Sequence, residues 1–344
     1  MKIVKPTFEI LNKDGIDPQK YIENIARTCY KSEDKITDIS NRKFISMLQT
    51  AGHWAMLEHY LFTYEATDNL IRILKKLQPR FITLMETGGG NYISFSARSL
   101  LDIEANLKSK LDLNSKDKEV LIIYGIVKHI INTVIKDYDC FELFGRDRTE
   151  EKEATLLETI PLYPLEAKKP EDVAKYCKRY VDWFSVRFTV SRAVSHELVR
   201  HRIASFAQES QRYVAYNKEK FGGEINVIEP CFFNKKSKAF KVWAQSQEKA
   251  EKDYFYLIEE EKAKPQEARE VLTNSTKTEI IITATHDEWY KIFKLRCDSP
   301  AHPTMRQAMI PLYNEMCERE PSIYLPLKDE INLDFDYPLA QQIK

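Results

Sequence analysis

The sequence predicts a mixed domain of helices and strands, of the α/β class and the α+β type. Segments with apolar residues at helical spacing alternate along the chain with segments that have the period and composition of strands. Residues 18–30 illustrate the first pattern and residues 277–285 the second. A chain of 344 residues, 43% of them hydrophobic, can bury a substantial core. We expect one domain over residues 1–320 and a C-terminal tail over residues 321–344.

The N-terminal part of the chain is predicted to contain short elements. Pro18 suits the first turn of a helix, and Ser40 is a candidate cap for a second helix that Gly52 stops. The remaining elements are a strand over 3–11, a helix over 18–30, a strand in the second half of 52–64, a helix over 69–85, a turn at 88–90 and a strand over 91–98.

An insertion is predicted over about 100–170. Residues 100–137 have a helical apolar stripe, and residues 138–170 combine a charged run with three prolines, which is typical of an inserted or mobile loop. The elements after it are a strand over 180–190, a helix over 192–199, a strand over 225–230, a helix over 236–263, a helix from Pro265, a strand over 277–285 and helices over 289–296 and 303–316.

Charge and composition exclude several classes of protein. Lys+Arg and Asp+Glu both total 52, so a general binder of nucleic acid is not expected. The six cysteines form no CxxC, and His196 and His201 would point about 140° apart on a helix, so we expect no metal site. No apolar run reaches membrane-spanning length and no signal peptide is evident, which predicts a cytoplasmic protein without a membrane partner.

Positive charge is concentrated at Arg200, His201 and Arg202, and Ser210 and Arg212 follow closely. In a chain of zero net charge, such a cluster indicates a binding site for an anion. The guanidinium fork matches the geometry of phosphate, and serine hydroxyls can donate to its remaining oxygens. Two other interpretations of the triplet are open: it could complement a helix dipole, or it could be a solvated face.

The longer spacing around this cluster is more specific. It reads Arg-His-Arg, two residues, Ser, four residues, Ser, one residue and Arg, with Ser205, Ser210 and Arg212 in the last three positions. This pattern resembles the signature of the flavin-dependent thymidylate synthases, and all of its positions are present.

A second stretch strengthens the resemblance. Gly52-His53, followed by Glu58-His59 and an aromatic strand, is similar to the family's second motif. Ala55 departs from that motif, because relatives usually have Ser or Thr there. The resemblance covers most of residues 1–100 and 180–312.

The resemblance implies an antiparallel twisted sheet flanked by helices, in a homotetramer whose active sites form between subunits. The implied reaction is the reductive methylation of dUMP to dTMP. Methylenetetrahydrofolate would give the one-carbon unit, FAD would carry the hydride and NADPH would be the reductant, so the partners are dUMP and folate. The cofactors supply the difficult chemistry, and the protein supplies binding and orientation.

The resemblance also implies roles for individual positions. Arg296 is the catalytic residue, because a fixed guanidinium against the uracil ring stabilises negative charge on it. Ser210 and Arg212 are the expected phosphate ligands. The full substrate-binding set is Glu197, Arg200, Gln208, Glu209, Ser210, Gln211, Arg212, Arg269 and Arg296. The cofactor-binding set is His53, Ala55, Glu58, Arg200, His201, Arg202, Gln208 and Lys291.

Some positions near the expected flavin differ from the family pattern, namely Ala55, Ala207, Thr285, Asp287 and Lys291. Asp287 would place negative charge near a cofactor that carries a pyrophosphate. The alternative hypothesis is therefore an impaired homologue that binds dUMP or a related nucleotide without efficient flavin chemistry. Cys297 follows Arg296 directly, and we interpret it as a packing residue rather than as a nucleophile.

Overall fold

The computed structural model describes residues 1–66, 68–77, 82–87, 90–99, 102, 166–167, 175–212, 216, 223–335 and 337. The chain divides into two compact units. The first comprises Met1–Asn12, Ile25–Glu33 and Phe184–Lys344, and the second comprises Lys13–Asn24 and Asp34–Trp183.

Helices and strands are interspersed along the described ranges. The strands are β1 (Lys2–Val4), β2 (Thr7–Leu11), β3 (Leu61–Ala66), β4 (Ile82–Thr87), β5 (Gly90–Ser96), β6 (Glu166–Ala167), β7 (Trp183–Ser191), β8 (Ser205–Gln208), β9 (Asn226–Ile228) and β10 (Lys277–Thr285). The helices are α1 (Pro18–Tyr30), α2 (Ser40–Thr50), α3 (Asp68–Leu77), α4 (Lys175–Val181), α5 (Arg192–Leu198), α6 (Lys238–Glu259), α7 (Pro265–Ala268), α8 (His286–Arg296), α9 (Pro303–Arg319) and α10 (Pro321–Tyr324). Short 3₁₀ turns lie at Glu33–Lys35, Trp54–Glu58, Arg269–Val271 and Leu325–Asp329.

The first unit is built on a four-stranded sheet in the order β2-β7-β10-β8. Strand β2 runs antiparallel to β7, and β10 runs antiparallel to β8 with Ile281 opposite Ala207. A separate parallel pair joins β1 to β9. The α+β class and the antiparallel sheet expected from the sequence are confirmed.

Aromatic packing fixes α8 against this sheet. Trp289 is fully buried, its ring stacks on Phe184 at 4.9 Å, and its Nε1 donates to the backbone oxygen of Phe184. Thr285 caps the helix by accepting from the backbone N–H of Glu288. Because both the start and the buried face of α8 are held, its last turn presents Arg296 at a defined place.

The beginning of the expected tail packs into the same core. Tyr324 and Leu327 have no exposed surface, and the Oη of Tyr324 lies 2.7 Å from Nδ1 of His286. The Oη of Tyr313 donates to the backbone oxygen of Tyr324. These contacts attach the segment after residue 320 to α8 and α9.

The second unit contains its own four-stranded sheet, in the order β4-β5-β3-β6, and all of its pairings are antiparallel. The side chain of Thr63 in β3 donates to the backbone oxygen of Val181 at the end of α4. Tyr21, Tyr60 and Trp183 pack edge to face, with ring centroids 5.1 to 5.8 Å apart.

Two predicted elements, the helix over 18–30 and the strand over 277–285, are confirmed residue for residue. The single strand over 3–11 is wrong: Lys5 and Pro6 separate β1 from β2, and Pro6 has no N–H to donate to a ladder. The helix over 69–85 is wrong in its second part, because Ile82–Thr87 is a strand paired to β5.

Other boundaries moved by a few residues. Helix α8 begins at His286 rather than at residue 289, because Thr285 supplies its cap. The strand over 180–190 begins only at Trp183, since α4 runs to Val181. The helix over 100–137, apart from Asp102, lies outside the described residues, and so does the loop over 138–170, apart from the two residues of β6.

Candidate functional site

The Arg-His-Arg triplet lies in a turn that follows α5. Ser191 caps that helix by accepting from the backbone N–H of Val194. The helix ends at Leu198, whose backbone oxygen accepts from the N–H of His201. The three side chains point to different environments, since His201 is buried whereas Arg200 and Arg202 are exposed. The triplet therefore does not form one continuous positive face.

Arg296 joins α8 to the end of α5 and to the turn after it through three hydrogen bonds. Its Nη1 donates to Oε2 of Glu197 at 2.8 Å, and its Nη2 donates to the backbone oxygen of the same residue at 3.0 Å. Its Nε donates to Nε2 of His201, also at 3.0 Å. Each of the three guanidinium nitrogens thus donates one hydrogen bond, which fixes the orientation of the group.

His201 is neutral in this arrangement. Its burial, together with the positive charge of Arg296, lowers the pKa of the imidazole from 6.5 to about 4. A neutral ring can accept the hydrogen bond from Arg296 on Nε2 only if its own proton is on Nδ1. His201 therefore orients the guanidinium without adding charge beside it.

This pKa predicts a pH dependence of stability. Between about pH 6.5 and pH 4 the unfolded imidazole binds a proton that the folded one does not, so the free energy of unfolding should fall as pH falls. One pKa unit corresponds to about 1.4 kcal/mol, so the full shift would give about 3.5 kcal/mol. Solvent screening reduces this value, and we expect a loss of about 2 kcal/mol across this window. Urea unfolding at several pH values measures it.

The variant His201→Gln should lack this component, and the exposed His196→Gln, five positions earlier in the sequence, is the matched control. Wild type and His196→Gln should share the same acid slope, and His201→Gln should be flatter. Equal slopes in all three proteins would contradict the assignment.

A cleft of about 560 Å³ opens beside Arg296. Its lining includes Glu197, Arg296, His302, Arg306 and Tyr337. Arg306 is buried and donates to the backbone oxygens of Cys297 and Asn332. The wall of the cleft thus includes the guanidinium groups of Arg296 and Arg306, and that of Arg296 is held by Glu197 and His201. Such a wall is suited to a polar or anionic ring.

A second group of polar side chains lies at the end of β8. Nε2 of Gln208 donates to Oγ of Ser195 at 2.8 Å and to Oγ1 of Thr278 at 3.3 Å. Nη1 of Arg192 also reaches Oγ1 of Thr278, at 3.5 Å. Burial lowers the pKa of Arg192, and the positive charge of Arg269 lowers it further. The electrostatic influence of Arg269 on Arg192 indicates that the two guanidiniums belong to the same part of the first unit.

The Ser210–Arg212 turn extends this group. The backbone N–H of Ser210 donates to Cys29 O, and its Oγ accepts from the backbone N–H of Arg212. Nε of Arg212 donates to Gln266 in α7, the helix that leads directly into Arg269. Gln211 donates to Oη of Tyr216. Arg192, Arg212 and Arg269, from three separate segments, thus belong to one polar region.

The structure therefore brings the expected substrate residues into two groups. The first contains Glu197 and Arg296 with His201. The second contains Gln208, Ser210, Gln211, Arg212 and Arg269. Glu209 is buried among lysines, and its side chain pairs with Lys31 and Lys277. Within the described part of the chain, Arg200 and Arg202 have no ion-pair partner. Sequence reasoning missed Arg192, whose only signal was its place directly after a helix cap.

The remaining expected cofactor residues fall elsewhere. His53, Ala55 and Glu58 belong to the second unit, where Glu58 accepts from Arg98 at 2.7 Å, and their contact with a flavin stays a prediction. Lys291 pairs with Asp287 at 2.7 Å and Glu288 at 3.6 Å.

Cys297 is fully buried, and burial raises the pKa of its thiol well above the usual range. A thiol that resists ionisation is a poor nucleophile, which agrees with its interpretation as a packing residue.

The described ranges contain neither a metal-binding cluster nor a membrane-spanning helix. Among those residues, no group of three or more His, Cys, Asp or Glu side chains is arranged to hold a metal ion. None of the helices described there has both the length and the apolar character needed to cross a bilayer.

Arginines from distant segments thus form two groups in the first unit, one at the wall of an open cleft and one around the Ser210–Arg212 turn, and guanidinium groups of this kind are suited to an anionic ligand. The chain belongs to the family of thymidylate synthase complementing proteins (Thy1), whose model matches residues 11–77 and 183–322, more than half of its length.

Curated relatives carry the name flavin-dependent thymidylate synthase. The protein of Geobacter sulfurreducens is 32% identical over 139 residues, which cover 39% of this chain and 56% of the relative. The protein of Sulfurisphaera tokodaii is 32% identical over 136 residues, which cover 39% of this chain and 50% of the relative. The protein of Pyrococcus horikoshii is 33% identical over 130 residues, which cover 38% of this chain and 52% of the relative. The chain therefore spans about half the length of the curated relatives it matches.

Among solved structures, a UMP/dUMP methylase, PolB from Streptomyces cacaoi bound with 5-Br UMP, superposes with a TM-score of 0.39 and 15% identity. The superposition covers 45% of this chain and 80% of that one.

Proposed function

We propose that this chain is a flavin-dependent thymidylate synthase, which reductively methylates dUMP to dTMP. The observation that carries the proposal is the guanidinium of Arg296, held by Glu197 and His201 at the wall of the cleft. Membership of the Thy1 family and the names of the curated relatives support it.

The proposed roles follow from charge and position. Arg296 lies against the uracil ring and stabilises the negative charge that develops there, because its fork is oriented before the substrate arrives. Ser210, Arg212 and Arg269 bind the phosphate, with the neighbouring Gln211. Glu197, Arg200 and Gln208 complete the nucleotide site, and Glu209 supports it from the buried side.

The residues of the triplet fit a flavin cofactor in part. Arg200 and Arg202 are exposed and have no anionic partner among the described residues, so they are suited to the pyrophosphate of FAD. Lys291 does not offer a free charge, because Asp287 and Glu288 hold its ammonium. FAD would supply hydride transfer, and His53, Ala55, Glu58 and His201 are the further residues proposed near it.

Other parts of the proposal follow from the family resemblance. Methylenetetrahydrofolate is the one-carbon donor and NADPH is the reductant. The protein is a cytoplasmic homotetramer with active sites between subunits, an assembly that light scattering on purified protein would measure.

The test is a tritium-release assay with dUMP labelled at carbon 5 of the uracil. With methylenetetrahydrofolate, NADPH and FAD supplied, we expect release of tritium and formation of dTMP. Omission of each component in turn is the control, and the visible spectrum of the purified protein reports bound flavin independently. A protein that neither binds FAD nor releases tritium contradicts the proposal.

A second candidate function is favoured by the pairing of Lys291 with Asp287. It is a nucleotide-binding homologue with weak flavin chemistry. This candidate predicts thermal stabilisation by dUMP without any by FAD. Stoichiometric flavin after mild purification would exclude it.

A further inference from the structure

Lys31 has an unusual backbone conformation for a lysine. It is the residue after the end of α1, and its φ of +46° lies in the left-handed region that usually holds glycine at this position. The N–H groups of Lys31 and Ser32 donate to Thr28 O and Arg27 O, which closes the helix. A strained conformation retained by a residue with a side chain suggests that the side chain has a role.

The side chain of Lys31 reaches a buried group of charges. Its Nζ lies 2.6 Å from Oε2 of Glu279 and 3.9 Å from Oε2 of Glu209. Lys277 completes the group, with its Nζ 2.6 Å from Oε1 of Glu279 and 3.2 Å from Oε2 of Glu209. Two carboxylates and two ammoniums thus share one largely buried site.

The register of the sheet explains why this site needs two cations. Gln208 pairs with Ile280, and the next step along the two strands brings Glu209 beside Glu279, whose backbone oxygen accepts from the N–H of Glu209. Like charges on facing residues destabilise a pair of strands. Lys31 and Lys277 neutralise them. The two lysines also hold the pKa of Glu279 at about 2, although burial alone would raise it.

Glu209 directly follows β8 and leads into the Ser210–Arg212 turn. The backbone N–H of Ser210 donates to Cys29 O, in the last turn of α1 and two residues before Lys31. The turn is therefore attached to the end of α1 twice, once by this backbone bond and once through the ion pairs of Lys31.

We propose that Lys31 is a positioning residue for the Ser210–Arg212 turn and acts through its ion pairs with Glu279 and Glu209. The proposal rests on the proposed function in one respect, namely that this turn binds the phosphate of dUMP. Glu209 then supports the turn from the buried side instead of contacting substrate.

The test compares Lys31→Met, Lys31→Gly and Lys31→Arg in the full chain. Methionine removes the ammonium group and keeps the strained backbone conformation. Glycine removes the ammonium group and relieves the backbone strain, and arginine keeps the positive charge. The matched control is Lys262→Gly, because Lys262 has a φ of +56° at another helix end but is exposed and donates to Glu259 O of that helix. Affinities for dUMP and for deoxyuridine, which lacks the phosphate, are measured for each protein.

We expect Lys31→Met and Lys31→Gly to raise the Kd for dUMP about tenfold, the loss typical of one misplaced charged hydrogen bond. The Kd for deoxyuridine should stay within about twofold, and Lys31→Arg should restore most of the dUMP affinity. Lys262→Gly should change neither Kd. Wild-type dUMP affinity in Lys31→Met, or an equal loss for both ligands, would overturn the proposal, because the role of the lysine would then be absent or merely structural.

Amide hydrogen exchange separates this proposal from the proposed function. If the wild-type protein binds no dUMP, the proposed function fails, and exchange at Glu209 and Ser210 still decides the role of Lys31. Faster exchange at these two amides in Lys31→Met than in wild type and in Lys262→Gly supports positioning. Unchanged exchange overturns it.

Discussion

The variant Arg296→Lys should lower kcat for dTMP formation by about 10²–10³-fold while the KM for dUMP changes little. Arg296 is oriented by bonds to Glu197 and His201, and lysine cannot reproduce this fork. Removal of one preoriented group that stabilises developing charge typically costs that much in rate, and an interaction made mainly in the transition state affects kcat. Steady-state kinetics with saturating folate and NADPH measure both parameters.

Arg187→Lys is the matched control for this variant. Arg187 also pairs with a carboxylate, Glu9 on the neighbouring strand, but it does not line the cleft. The variant Arg187→Lys should therefore have the kcat and KM of the wild type. A rate for Arg296→Lys close to that of Arg187→Lys would show that Arg296 has no role in the chemistry. Thermal unfolding of both variants reports whether a loss of rate reflects a loss of fold.

The second large effect is expected for Arg212→Ala, which should raise the Kd for dUMP by about 10- to 100-fold. A hydrogen bond to a charged group contributes about 1.5–3 kcal/mol, and truncation would remove the guanidinium from the phosphate. Because Arg212 is exposed, the free energy of unfolding should change by less than about 0.5 kcal/mol. Isothermal titration calorimetry with dUMP and with deoxyuridine measures the ligand dependence.

The loss should be confined to the ligand that carries a phosphate, so the Kd for deoxyuridine should be the same in Arg212→Ala and wild type. Arg319→Ala serves as control, since Arg319 is exposed and pairs with Glu315 one helical turn earlier. It should leave both affinities unchanged. Unchanged dUMP affinity in Arg212→Ala would show that this arginine does not bind the phosphate.

Local signals in the sequence were enough to predict much of the fold. The period of α1 and the proline at its start gave its bounds, and the β-branched run of β10 gave those of the strand. The helix predicted over 69–85 failed in its second part. Ile82 and Leu84 have apolar side chains that suit either structure, and pairing with Phe95 and Ile93 of β5 decides in favour of a strand.

The site was predictable as a set of residue types, but its arrangement was not. The spacing from Arg200 to Arg212 predicted a binding site for an anion and carried the resemblance to the flavin-dependent thymidylate synthases. His201 is buried, whereas Arg200 and Arg202 are exposed. This difference depends on the residue at which α5 ends. The bond from Arg296 to Glu197 joins residues 99 positions apart, and no local pattern contains that information.

The carboxylate of Glu197 has a thermodynamic consequence for any ligand of Arg296. Three of the five N–H groups of Arg296 are engaged internally. For a ligand that takes the place of the carboxylate, the measured affinity is therefore the difference between two occupied states. Competition from the Glu197 carboxylate weakens binding of the ground state. It has less effect on interactions that become stronger as negative charge develops on the ring.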